Sequence, residues 1–299
     1  MPELPDITVY LEHLDRRIRG ATLTQARVAG LNLLRTFEPP LAALEGREVI
    51  GLRRMGKRIV FAFGQDLFMV LHLMIAGRLH WAVPPQKPRG QKPIAVLTFT
   101  SGLLTLTEGG KRQRASLHVV RGEAALRELD PGGLELDIAT AATFAARLRS
   151  EDHTLKRALT DPHLLSGIGN AYSDEILHRA RLSPLRRTSQ LTDSEFATLF
   201  TATRDVLREW TERLRSTAGA EFPEGVTAFR AEMAVHGRYG QPCPVCASLV
   251  QRIRYAEHET DYCARCQTDG RLLADRGLSR LLKADWPRTL EELEERGRG

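Results

Sequence analysis

The sequence predicts an α+β chain with a β-rich N-terminal part and a helical C-terminal part. Three observations predict it. Apolar residues recur at helical spacing just inside the N-terminus. Short apolar runs separated by Gly-bearing turns fill residues 21–120. From about residue 130 the spacing turns helical again, and all four cysteines fall between 243 and 266. A length of 299 residues exceeds one ordinary domain and suits two.

The chain opens "MPELPD", and "ITVYLEHLDRRIRG" follows. Ile7, Tyr10, Leu11, Leu14 and Ile18 share one helical face, with Asp6 as the expected N-cap and Gly20 as the stop. Pro2 and Glu3 then sit at the positive end of a helix, where a carboxylate is favoured and a protonated amine is not. Trimming of Met1 would leave Pro2 as a free secondary amine, a nucleophile when neutral. An α-amine titrates at about 7.7–8.0, so a usable fraction is neutral near pH 7. A Met-Pro start alone fits equally a chain in which this means nothing.

Within 21–120, "KRIVFAF" and "LFMVLHLM" flank the turn "GQD", and "IAVLTFT" and "LLTLTE" flank "SG". Strands this short, with such turns, predict a sandwich or barrel. "DPGGLELD" at 130–137 reads as a linker. In "LTDSEFATLFTATRDVLREWTERLR" an apolar stripe runs through Phe196, Leu199, Phe200, Val206, Leu207 and Trp210. Thr192 with Glu195 forms its capping box.

Composition narrows the function classes. No apolar run approaches the roughly 18–20 residues of a membrane span. No basic stretch followed by an apolar one opens the chain, so a cytoplasmic protein is expected. A net charge of +6 suits an anionic partner better than a neutral surface would.

Two constellations carry chemistry. "CPVCASLVQRIRYAEHETDYCARC" has the spacing C-x2-C-x16-C-x2-C, so Cys243, Cys246, Cys263 and Cys266 can bind one tetrahedral zinc ion. Four thiolates leave no open position for an activated water, so the zinc is structural. The hairpin between them carries Arg252, Arg254 and His258, and reads either as a nucleic-acid contact or as a solvated basic surface. In "LLSGIGNAYSDEILHRA" a Gly-bearing turn precedes a helix. Its N-terminus and Asn170 offer donors to an anion, or form an ordinary interhelical turn.

These pieces occur together and in order in one family. From residue 2 to about 268 the chain resembles the bacterial formamidopyrimidine-DNA glycosylase and endonuclease VIII family. The motifs are "PELP", "GKR" at 56–58, "HLM" at 72–74, "LLSGIGNAYSDEIL" at 164–177, "VHGRYGQPC" at 235–243 and the cysteine quartet. The resemblance implies an N-terminal helix on a β-sandwich and a helix-two-turn-helix domain followed by a zinc finger. The corresponding divisions are 1–128, 129–236, 237–270 and a C-terminal extension, 271–299. It implies a bifunctional glycosylase and abasic-site lyase of base excision repair. Such an enzyme flips the damaged nucleotide out of double-stranded DNA, because its reacting carbon is inaccessible within the stack. A monomer working at the nucleoid is implied as well.

Residue by residue, the resemblance makes Pro2 the nucleophile at C1′, Glu3 the general acid and Lys57 a phosphate contact that assists strand cleavage. It makes His72 and Asn170 phosphate ligands and Met74 the residue that fills the gap left by the flipped base.

The chain departs from the family pattern in several places. Asp6 and Thr8 stand where acidic residues are usual after "PELP". His258 stands where the finger has an arginine, and an imidazole lacks the bidentate fork. In "EGGKRQRASLH" the wedge arginine is Arg112 or Arg114, with no aromatic following, and the stretch between "STAGAEF" and "FRAEMAVHG" is short. These departures leave open the preferred lesion, oxidised pyrimidines included, and a protein that binds damaged DNA with little excision. An unrelated enzyme using Pro2 as a base, such as a tautomerase, fits neither the length nor the finger. Beyond residue 270, Leu278, Leu281 and Leu282 have helical spacing and Thr289 with Glu292 makes a capping box, so this extension is expected to pack back on the fold.

Overall fold

The computed structural model describes all residues except 31, 87–91, 111–112, 228, 256–257, 275–286 and 297–299, and omits the side chains of Tyr255, His258, Glu294 and Arg296. Arg112, the His258 side chain and Leu278, Leu281 and Leu282 therefore lie outside the described residues. The chain divides into two compact units. One comprises residues 1–132 and 209–228, the other 133–208 and 229–299.

The first unit begins with α1 (Leu4–Ile18). Asp6 is not its N-cap. Glu3 is, and Asp6 sits three residues in, where its Oδ2 accepts the Glu3 N–H at 2.9 Å. Pro5 is tolerated inside the helix because first-turn amides have no intrahelical acceptor to lose. The helix stops where Gly20 takes φ +77. Eight antiparallel strands follow: β1 (Thr22–Val28), β2 (Arg47–Met55), β3 (Arg58–Phe63), β4 (Leu67–His72), β5 (Gly77–Ala82), β6 (Ala95–Phe99), β7 (Gly102–Glu108) and β8 (Ser116–Arg121). Their order is β5-β7-β6-β1-β2-β3-β4-β8.

The ribbon turns at β2, which pairs with β1 at its start and, through a register shift between Val49 and Gly51, with β3 along its length. Both halves give apolar faces to one core. Leu23, Leu79, Leu97 and Leu104 meet Ile59, Phe61, Met69 and Leu117, with Ile7, Tyr10 and Leu14 of α1 among them. Each such side chain stabilises the fold by about 1.5–3 kcal/mol. Strand β4 is buried on both faces. Leu67, Met69 and Leu71 enter that core, while Phe68 and Val70 pack with Val120 and Leu126 under α2 (Gly122–Glu128).

The second unit holds α3 (Ala141–Arg149), α4 (Leu155–Thr160) and α5 (Asn170–Arg179). It also holds the start of α6 (Asp193–Ala218), whose last turns belong to the first unit. The Thr192–Glu195 capping box forms as expected: the Thr192 N–H donates to Glu195 Oε2 at 2.9 Å, and the Glu195 N–H to Thr192 Oγ1 at 3.3 Å. The stretch 130–137 is packed rather than a loose linker. The Leu134 N–H donates to Leu164 O at 2.9 Å, and a Cβ on Gly133 would lie 2.4 Å from Pro162 O. Next come β9 (Gln251–Tyr255), β10 (His258–Tyr262), α7 (Ala264–Thr268) and α8 (Leu290–Arg296). The described part of the extension does pack back, with Leu290 against Ile253, Tyr262 and Leu272.

Candidate active site and nucleic-acid interface

In the first unit the site forms around the start of α1. Pro2 is buried, and Glu3 is 2% exposed. The Met1 amine is held below its ordinary range, chiefly by burial. The Glu3 carboxylate opposes this, Arg78 adds to it, Asp6 opposes it and Lys57 adds again. Two carboxylates and two cations from three separate segments therefore act electrostatically on the chain end. Lys57 sits in the two-residue turn between β2 and β3, which Gly56 closes at φ +62.

His72 ends β4, with its Cα opposite Arg58 and Ser116. Burial pushes its imidazole down to about 4, and the charges of Arg58, Lys57 and His118 add to the effect. The ring is thus neutral at pH 7. Its Nε2 is buried with no hydrogen-bond partner among the described residues. A neutral imidazole can donate from that nitrogen to an incoming oxygen.

Met74 lies in the turn from β4 to β5 at φ +52, a conformation few non-glycine residues adopt. The turn closes when the Gly77 N–H donates to Leu73 O at 3.0 Å. Gly77 has no alternative, because a Cβ there would lie 2.3 Å from Leu73 O. Arg78 is anchored to the same turn, its Nη1 donating to Gly77 O at 2.7 Å and Ile75 O at 3.2 Å.

In the second unit Asn170 is the first residue of α5, behind Gly169 in extended conformation and Gly167 at φ +86. Lys156 Nζ donates to Asn170 O at 2.7 Å and to Asp174 Oδ1 at 2.6 Å. Asp174 Oδ2 meets His236 Nδ1 at 2.8 Å. Sequence reasoning missed Lys156 and Arg78, because neither stands in a motif that announces it.

The four cysteine sulfurs lie within 4.8 Å of one another. Cys243 and Cys266 Sγ are 3.9 Å apart, and Cys246 and Cys263 Sγ 3.4 Å. A tetrahedron with Zn–S of about 2.3 Å has edges of about 3.8 Å, so the donor set and its spacing fit zinc. Burial pushes the Cys263 thiol up to about 11, and only a bound cation would make this cluster ionise together near neutrality. The zinc ion is structural: four thiolates fill its shell. Between the two cysteine pairs, β9 and β10 form the expected hairpin. Arg254 is exposed. Arg252 lies over the Tyr239 ring at 4.4 Å and pairs with Glu259 at 3.5 Å. His258 opens β10 opposite Tyr255.

Residues 1–115 match the profile of the formamidopyrimidine-DNA glycosylase N-terminal domain, 131–220 that of its H2TH domain, and 240–268 the zinc finger found in FPG and IleRS. The formamidopyrimidine-DNA glycosylase of Heliobacterium modesticaldum is 33% identical over 280 residues, covering 89% of this chain and all of the relative. The crystal structure of MutM (Fpg) from Thermus thermophilus is 30% identical with TM-score 0.74, covering 89% of this chain and 98% of that one. A complex of Lactococcus lactis Fpg with DNA containing an abasic site is 26% identical with TM-score 0.76, covering 89% and 99%. A strand-rich unit with a charged chain-end site, joined to an H2TH and zinc-finger unit, defines a DNA glycosylase of base excision repair. The chain belongs to the formamidopyrimidine-DNA glycosylase family.

Proposed function

We propose that the protein is a bifunctional glycosylase and abasic-site lyase acting on oxidised bases in double-stranded DNA, as a monomer, through Pro2. The observation that carries the reading is the buried Pro2–Glu3 pair at the start of α1, with Asp6 hydrogen-bonded to Glu3 and the charges of Lys57 and Arg78 acting on the chain end. Removal of Met1 moves the amine to Pro2, in the same surroundings. Burial and the two cations favour its neutral, nucleophilic form.

The amine lone pair attacks C1′. Glu3 gives a proton to the sugar ring oxygen as the ring opens. The base departs with the glycosidic electron pair, and the nitrogen loses its proton on the way to an iminium. The iminium acidifies C2′, and loss of that proton expels the 3′ phosphate oxygen with its bonding pair. Lys57, His72 and Asn170 hold phosphates, and Met74 occupies the space the base vacates. Arg252 and Arg254 with His258 supply further DNA contacts from the finger, and Arg112 the wedge.

Borohydride trapping on abasic duplex tests the reading. It predicts a covalent adduct at the N-terminal residue, and none when an uncleaved tag precedes Pro2. Full trapping and cleavage by the tagged chain would sink it. A panel of single-lesion duplexes decides between oxidised purines and pyrimidines.

A further inference from the structure

Helix α5 grips the segment that leads into the cysteine cluster. The Glu175 carboxylate accepts the amides of Ala234 at 2.7 Å, Val235 at 2.9 Å and His236 at 3.0 Å. Asp174 holds the His236 ring. One turn later His178, 7% exposed, places Nε2 3.3 Å from Cys243 Sγ. A zinc-bound cysteine is a thiolate and can only accept, so Nε2 must carry the hydrogen and donate. The Val245 amide also reaches this sulfur, at the longer distance of 3.5 Å.

We propose that His178 is an outer-sphere positioning residue for the structural zinc, donating an N–H···S bond to the Cys243 thiolate. Four thiolates around one divalent ion leave a net double negative charge in a largely buried place. A directed donor lowers the cost of that charge and fixes the ligand's orientation. It also ties the metal to the helix that begins at Asn170, so zinc retention depends on a residue 65 positions before its ligand.

The test uses the full chain without DNA. Zinc release to excess chromophoric chelator is timed, and the sulfur-to-metal charge-transfer band is recorded after cobalt(II) substitution. His178→Phe keeps a ring but no N–H, while His178→Gln keeps a donor. The Phe variant should release zinc about 10-fold faster and move the band to lower energy, because an undonated sulfur is easier to oxidise. The Gln variant should recover much of both. An unmoved band in the Phe variant overturns the proposal, whether or not release quickens, since quicker release alone reports packing. If neither variant folds, nitrogen NMR of the wild type decides. Protonation at Nε2 of His178 upholds the hydrogen bond, and protonation at Nδ1 only overturns it.

Discussion

Glu3 and His72 are single side chains on which the proposed chemistry can be tested. Glu3 is buried at the cap of α1, beside the amine it would serve. A carboxamide there keeps the shape but cannot protonate a sugar oxygen. Glu3→Gln should therefore lose base excision by roughly 100-fold, in the range of about 10²–10⁴ typical of acid–base groups. Cleavage at a preformed abasic site should fall far less, because that sugar already opens unaided. Equal losses on the two substrates would count against Glu3 as the acid.

His72 is held down at about 4 against 6.5 for an ordinary imidazole. Its unfolded form binds a proton between those values while its folded form does not. The contribution to stability is complete above about pH 6.5 and is lost as pH falls toward about 4. By that linkage wild type should lose about 2 kcal/mol at this residue between pH 7 and pH 5. His72→Gln removes the titration, so its melting temperature should fall less over the same interval. Parallel acid profiles for the two proteins would refute the assignment.

Among the elements, α1 and α5 tell most about what a sequence reveals. Both were legible as helices from apolar spacing alone, since local backbone preference and one buried face suffice to specify them. Their ends were less legible. Asp6 reads as the cap because it precedes Ile7, the first residue of the apolar stripe, yet Glu3 opens the helix and Asp6 reaches back to it. Either carboxylate satisfies first-turn amides, and only the packed chain chooses. In α5 nearly every residue is buried, so Asp174, Glu175 and His178 had to find partners, and these lie far along the chain.

Glu175 is the sharpest case. Burial raises its carboxyl above the usual range, while three amides pull against that shift. Glu175→Ala would strand three backbone donors, of which those of Val235 and His236 are buried and cost about 1–3 kcal/mol each, while that of Ala234 is part-buried. We expect at least about 2 kcal/mol of destabilisation in chemical unfolding. Zinc retention should weaken with it, because residues 234–236 lead into Cys243. A loss under about 1 kcal/mol would mean that water replaces the carboxylate.

For the whole molecule, the proposed DNA binding is tested through charge and metal. His72 is neutral at pH 7, so if both residues hold phosphates as proposed, only Lys57 would release a counterion from the backbone. Lys57→Met should reduce the slope of log affinity against log salt by about 1, whereas His72→Gln should leave it unchanged. Binding isotherms from about 50 to 200 mM salt, a range chosen for its large effect, separate the two. Removing zinc with a chelator should lower both DNA affinity and the stability of the second unit, because the metal's binding energy is part of the folding energy around the cysteine cluster. Normal binding by metal-free protein would contradict this.

The sequence by itself determined what contiguous residues can state. It determined the proline behind the first methionine, the cysteine spacing that makes a zinc site, the glycine turn before Asn170, the strand runs and the long helix. These depend on local geometry and fixed coordination numbers, which short motifs encode. Only the tertiary structure decided that the charge of Arg78 acts on the chain end, that Lys156 binds Asn170 and Asp174, and that His178 reaches Cys243. It alone returned residues 209–228 to the first unit, where Phe222 packs on Tyr10 and His13 and Glu224 pairs with His80. Such contacts join residues 14 to more than 200 positions apart. Their formation depends on which way a buried polar side chain must turn to find a partner, and no local spacing carries that information.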